Sequence, residues 1–297
     1  MRSTHDTRAH TPKTMTQANK TTLFIRSFLL STWPMMLYGV IYFSLGLLPR
    51  SSVIDVQPLY ELERSLFGIS VDGMTAIDGS ETLTFAEYFS AHHWVWADIW
   101  AGVCYICWVP VPILFTLYLY FMGFHRHTLC FALTFLTMNI IGFTINMIHP
   151  AAAPWYVMEH GFEVLPETAS NAAGLLRFDA LVGAPVFASL YRGSTNVFGA
   201  FPSLHAAKMS MVCLYSVLVF EKDRRPSTFI WAVLSLIITL GTWFAAIYTA
   251  HHYIIDVLAG IVCVALGYLL FAYGIRRTPP FRWINNRLSN NWFEPAN

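Results

Sequence analysis

Six apolar runs, at residues 27–48, 95–122, 128–148, 203–220, 228–249 and 252–275, are each long enough to cross about 30 Å of hydrocarbon as a helix. No other property of the chain restricts its fold so severely. Lipid offers no partner to a backbone N–H or C=O, so an apolar run that spans a bilayer must close its hydrogen bonds within itself. Composition points the same way: with 56% hydrophobic residues, 12% charged ones and a mean hydropathy of +0.50, the chain has too little polar surface to coat a water-soluble body of its size. The expected fold is all-α, an integral membrane six-transmembrane-helix bundle. It occupies 23–277 as one domain, with a disordered tail at 1–22 and a short tail at 278–297.

The polar opening MRSTHDTRAHTPKTMTQANK lacks the apolar core of a cleavable signal peptide and reads as a cytoplasmic tail. Cys104, Cys107, Cys130, Cys213 and Cys263 all lie in apolar runs, as small buried hydrophobes and not as a disulfide or zinc framework. A net charge of +1 gives no basic field for nucleic acid. The sequence carries no signal of oligomeric state. Two short interfacial helices are expected between the first and second spans. In QPLYELERSLFGI, Leu59, Leu62, Leu66 and Phe67 share a face suited to the membrane surface, and Thr84 with Glu87 forms a capping box that opens the second. The segment from His149 to Pro202 is too long for a mere connection and is expected to form a lid or a site.

Lys and Arg set the orientation. With a cytoplasmic N-terminus, that side collects thirteen: Arg2, Arg8, Lys13, Lys20, Arg26, Arg126, Lys222, Arg224, Arg225, Arg276, Arg277, Arg282 and Arg287. The other side collects Arg50, Arg64, Arg177 and Arg192. The excess puts both termini inside.

This topology brings two histidines to the outer leaflet, His205 in FGAFPSLHAA and His252 in YTAHHYIIDVLAG. His252 and Asp256 are four positions apart, one turn along a helical face, where the carboxylate can hold one ring nitrogen protonated and leave the other as an outward lone pair. That is the arrangement of an activated nucleophilic histidine. Ser203 stands at the N-cap position of the fourth span, and the N–H groups of that helix start offer an anion site beside His205. Together these features point to phosphoryl transfer. A histidine at a bilayer interface, taken alone, reads more simply as a hydrogen-bonded polar tip. Asp256 weighs against that reading, because an ionisable residue inside a span is costly without a partner. Two histidines and one aspartate make a thin ligand set for a metal or haem, so no metal and no cofactor are expected. His92, His93, His149, His160 and His251 read as interfacial or structural, and His125 and His127 as part of a cytoplasmic turn.

FPSLHAA followed some 45 positions later by HHYIID resembles the second and third signatures of the type 2 phosphatidic acid phosphatase superfamily. GLLRFD at 174–179, APWY at 153–156 and NVFGAFPSLH at 196–205 further resemble the fungal aureobasidin-sensitive inositol phosphorylceramide synthases. The likeness runs from about Asn146 to Gly260, leaving out the N-terminal third.

The resemblance implies a six-helix bundle of the phosphatidic acid phosphatase type 2 kind, and a phosphohistidine mechanism. His252 is then the nucleophile on phosphorus, Asp256 its orienting residue, and His205 the acid toward the leaving alcohol and the base toward the acceptor. Two departures matter. The superfamily's first signature, a lysine followed seven positions later by Arg-Pro, has no match, and the Ser-Arg that usually precedes the second histidine is Ala245 and Ala246. The phosphate must then meet other cations. Arg177, held by Asp179, is the first candidate, and Lys208, three residues after His205, is the second, with a snorkelling side chain as its plain alternative. Trp155 and Tyr156 join Phe162, Phe178, Phe187 and Phe198 in an apolar cap over the site.

The expected function is a transfer of phosphoinositol from phosphatidylinositol to ceramide or dihydroceramide with release of diacylglycerol. A lipid phosphatase, a sphingolipid synthase using another head group and a non-catalytic lipid carrier are the alternatives. The expected setting is a bacterial inner membrane with the site facing the periplasm, or a Golgi membrane with the site facing the lumen.

Overall fold

A computed structural model describes residues 17–193 and 197–289, and expectations for residues 1–16, 194–196 and 290–297 lie outside the described residues. Helices follow in chain order as α1 (Gln17–Ser44), α2 (Gln57–Phe67), α3 (Phe85–Ala91), α4 (Val95–Ile106), α5 (Pro110–Phe121), α6 (His125–Ile148), α7 (Pro154–His160), α8 (Leu176–Val182), α9 (Val186–Tyr191), α10 (Leu204–Lys222), α11 (Pro226–Tyr248), α12 (Ile254–Leu269) and α13 (Pro279–Ser289). A two-stranded antiparallel hairpin, β1 (Ile69–Ser70) with β2 (Thr82–Leu83), links α2 to α3. Helix α1 starts at Gln17, so residues 17–22, expected in the tail, are helical. The expected C-terminal tail likewise carries α13.

Among the described residues five helices are long and apolar enough to cross a membrane, and α4 with α5, bent by 51° at the break between them, makes a sixth if the pair is counted as one span. The second run was expected to be one continuous helix, and it is not. Pro110 and Pro112 follow the break; a proline lacks the N–H for the helical ladder and disfavours helical geometry in the residue before it. The break turns Trp108 into the bundle.

Inside the bundle, α10 packs on α6, α11 and α12 around a core that includes Phe131, Phe135, Met209, Val212 and Ala245. Gly260 of α12 lies against the start of α10: a Cβ there would stand 2.4 Å from the Ser203 carbonyl oxygen and 3.5 Å from the Ala207 nitrogen. The missing side chain lets the N-terminal ends of α10 and α12 meet.

At that end the short elements form a roof. The capping box of α3 is present: Thr84 Oγ1 accepts from the Glu87 N–H at 3.3 Å, and Glu87 Oε2 accepts from the Thr84 N–H at 2.7 Å. Helix α2 also forms, but its expected face divides. Leu59, Tyr60 and Glu63 turn into the protein, while Leu62 and Leu66 are left exposed. Three extended pieces, at Asp55, Ala151 and Gly199, pair in parallel. The Ala151 N–H donates to Phe198 O at 2.9 Å and the Ala200 N–H to Ala151 O at 3.1 Å, fixing the chain just before α10.

Candidate active site

His205 and His252 meet beneath this roof. His252 Nε2 lies 3.0 Å from His205 Nδ1, with His252 3% exposed and His205 half-buried. His252 does not sit on the α12 face as expected. The helix starts at Ile254, so the ring projects from the turn ahead of it, where the His251 and His252 N–H groups both donate to Ala246 O (3.0 and 2.9 Å). Ala250 in that turn has φ 60°, a left-handed conformation that costs a non-glycine residue about 1 kcal/mol or more. Donation from the Trp155 N–H to Ala250 O, and from the Gly174 N–H to Thr249 O, holds it there.

The nearer partner of His252 Nδ1 is the Ala200 carbonyl, at 2.9 Å; Asp256 Oδ2 stands at 3.5 Å. A carbonyl oxygen only accepts, so Nδ1 carries the proton and Nε2 presents its lone pair to His205. Asp256 also takes the Tyr253 N–H on Oδ2 at 2.8 Å, closing the first turn of α12. Sequence reasoning assigned the orienting role to Asp256 alone. The backbone acceptor had no side-chain signature to read.

Ser203 caps α10, its Oγ accepting from the Ala206 N–H at 3.3 Å while its own N–H donates to Asp256 O at 2.9 Å. Lys208 does not snorkel. It is 2% exposed and lines the cavity, its Nζ 4.3 Å from the Trp108 ring centroid, 5.2 Å from that of Tyr42 and 5.4 Å from that of Tyr38. Arg177 and Asp179 are not paired with each other. Arg177 Nε donates to Asp98 Oδ1 at 2.6 Å and Nη2 to Tyr248 O at 3.3 Å, while Asp179 caps α9 by accepting from the Phe187 and Ala188 N–H groups. Neither lines the cavity. Arg177 instead braces the end of α11 from which the histidine turn hangs.

A cavity of about 150 Å³ adjoins the two rings. Of the six aromatic residues expected to cap it, Trp155 does and the others support the roof: Phe162 packs on Tyr60, Phe178 on Phe187 and Phe198 on Tyr156, whose hydroxyl donates to Glu163 O and accepts from the Leu165 N–H, both at 2.8 Å. Tyr42, Leu45, Trp108 and Phe143 add apolar and aromatic lining, and Asn146, which also lines the cavity, donates from Nδ2 to Phe201 O. Glu63, unassigned from sequence, reaches in from α2 to accept the N–H groups of Ile254 and Ile255 at 2.9 and 3.1 Å, capping α12. Its burial raises the carboxyl to about 7 against the pull of those two donors. Among the described residues, no three His, Cys, Asp or Glu side chains are grouped to hold a metal ion.

Comparison with known proteins gives this geometry a family. The PAP2 superfamily matches residues 74–270. The chain is 45% identical to the phosphoinositol dihydroceramide synthase of Bacteroides thetaiotaomicron over 86% of its own length and 81% of that protein. It is 27% identical to the inositol phosphorylceramide synthase of Candida albicans over 78% of this chain and 46% of that protein. Against the inositol phosphorylceramide synthase catalytic subunit of Saccharomyces cerevisiae the identity is 31%, over 46% of this chain and 31% of the relative. No solved structure matches. With its apolar crossings and these relatives, the chain belongs to the PAP2 superfamily and is an integral membrane enzyme related to the inositol phosphorylceramide synthases.

Proposed function

We propose that this enzyme moves phosphoinositol from phosphatidylinositol to ceramide or dihydroceramide, releasing diacylglycerol, through a phosphohistidine on His252. The observation that carries the chemistry is the His252 Nε2 lone pair, fixed by Ala200 O and turned to His205 at 3.0 Å beside a cavity with an apolar wall. The head group and acceptor follow the names of the bacterial and fungal relatives.

In the first half-reaction Nε2 attacks phosphorus, and the N–P bond forms as the P–O bond to diacylglycerol breaks. His205, protonated when the anionic phosphate of the donor binds beside it, gives that proton to the departing oxygen. In the second, the acceptor's primary hydroxyl attacks phosphorus, His205 takes its proton, and the N–P bond breaks to restore both rings. In-line attack places phosphorus on the Nε2 lone pair, where His205 Nδ1 now lies. The ring contact therefore opens as substrate binds. Lys208 supplies positive charge to the phosphoryl oxygens from its aromatic cage. Leu45, Phe143 and Leu190 favour a lipid alcohol over water as the attacking group. Likeness to a Bacteroides protein and the excess of basic residues at the opposite end support a bacterial inner membrane with this site facing the periplasm.

The test is product analysis on purified protein in micelles of phosphatidylinositol and ceramide. Inositol phosphorylceramide and diacylglycerol are expected in equal amounts, well above free inositol phosphate, and inositol-labelled donor should label the protein at His252. Mainly inositol phosphate, with or without ceramide, would establish hydrolysis of the donor in place of transfer.

A further inference from the structure

Beside the two histidines of the proposed mechanism stands a third with no part in it. His251 lines the cavity, is 5% exposed, and packs against Tyr191 and Tyr105 with ring centroids 5.1 and 5.2 Å away. Its Nδ1 lies 3.0 Å from Thr249 Oγ1 and 3.2 Å from Thr249 O. The hydroxyl proton of Thr249 goes to Ala245 O at 2.7 Å, so both atoms facing Nδ1 are acceptors and Nδ1 must carry hydrogen. Nε2, on the ring edge turned away from Thr249, is then a bare lone pair, and it has no hydrogen-bond partner. A buried polar atom is normally paired, so an unpaired one on a side chain that lines the cavity marks a place for a substrate group once the cavity is filled. Burial and the neighbouring His252 push His251 down to about 3, so the ring stays neutral and accepts.

The cavity lining mixes two chemistries. Leu45, Trp108 and Phe143 give it apolar surface that suits acyl chains. His251 stands beside the Tyr105 and Tyr191 hydroxyls, 3.5 Å apart, which α4, α9 and the turn before α12 bring to the same cavity. We infer that His251 Nε2 accepts a hydrogen bond from a hydroxyl of the transferred head group, and so selects a polyol over a head group that ends in a quaternary ammonium and has no hydrogen to donate. The inference rests on the phosphoinositol reading above and names the contact that enforces it.

The experiment uses the full-length purified protein with His251→Phe, which keeps the ring and removes the acceptor, and His251→Gln, which restores an acceptor near the Nε2 position. Phosphatidylinositol and ceramide are varied separately. In His251→Phe, kcat/KM for phosphatidylinositol should fall by about 10- to 100-fold, the range for leaving one such hydrogen bond unmade, with the KM for ceramide unchanged and most of the loss recovered in His251→Gln. A second arm needs no turnover: tryptophan fluorescence, from Trp108 and Trp155 in the cavity wall, reports binding of inositol 1-phosphate and of inorganic phosphate. Wild type should prefer the inositol ester by tenfold or more, and His251→Phe should bind the two alike. An unchanged preference in His251→Phe, a loss seen in the KM for ceramide instead, or an equal loss in both variants would overturn the inference. Wild-type protein that binds inositol 1-phosphate selectively yet forms no inositol phosphorylceramide would overturn the transferase reading and leave the contact standing.

Discussion

His252 is held by two acceptors of unequal reach, and the difference has a measurable consequence. Where an aspartate alone fixes the tautomer of a catalytic histidine, its amide replacement lets the ring present the wrong nitrogen, at a cost of about 10⁴ in rate. Here Ala200 O is the nearer partner at 2.9 Å and only accepts, so the Nδ1 proton stays in place without the Asp256 charge. Asn at 256 also keeps an acceptor for the Tyr253 N–H. Asp256→Asn should therefore lower kcat by only about 10- to 100-fold, through lost stabilisation of the charge that builds on the ring, while His252→Ala should abolish transfer. Product formation by both variants, followed by mass spectrometry, checks the ranking; equal losses would put the whole orienting role back on Asp256.

Helix α12 meets α10 closely enough that one methyl group matters. The atoms facing Gly260 are the backbone of Ser203 and Ala207, which cannot rotate aside, so Gly260→Ala must push the two helix starts apart. An overpacked contact of this kind costs about 1–3 kcal/mol. Activity should fall further than stability, because the shift separates His205 from His252; Gly39→Ala in α1, with nothing within 4 Å, serves as the control, and melting temperature and turnover are compared. Glu63 acts on the same helix start. Its folded carboxyl, at about 7, lies above the ordinary 4.5, so the folded state holds the proton more tightly and the associated stabilisation, full below pH 4.5, is lost as pH rises through 7. The melting temperature of wild type should fall from pH 5 to pH 8 relative to Glu63→Gln, and parallel curves would dismiss the effect. These contacts also mark where sequence reading stops. The apolar runs, the Thr84 capping box and the Ser203 cap follow from local spacing, and the shared leaflet of His205 and His252 follows from the order of the spans. Ala200 O, Glu63 and the Trp108 ring over Lys208 come from segments 52, 191 and 100 residues away from what they touch, and the partner of Arg177 is Asp98, 79 residues off, in place of Asp179 two residues along.

At the scale of the molecule, both histidines belong to one end of the bundle, and the distribution of basic residues predicts which side of the membrane that end faces. The roof of α2, α3, α7, α8 and α9, both histidines and four basic residues (Arg50, Arg64, Arg177 and Arg192) belong to the end where α10 and α12 start. The opposite end carries Arg126 at the start of α6, Lys222, Arg224 and Arg225 between α10 and α11, and Arg276, Arg277, Arg282 and Arg287 at and within α13. Short basic connections resist translocation, and the turn between α10 and α11 is of that kind. Glu163 and Lys222 are both exposed, so a cysteine at either position is accessible to a reagent on its own side. With the five native cysteines replaced, Glu163→Cys should react with a membrane-impermeant maleimide added outside intact cells, and Lys222→Cys should react only after the membrane is opened. The reverse pattern would turn the site to the cytoplasm. A phospholipid donor and a sphingolipid acceptor would then have to reach the histidines from the inner leaflet.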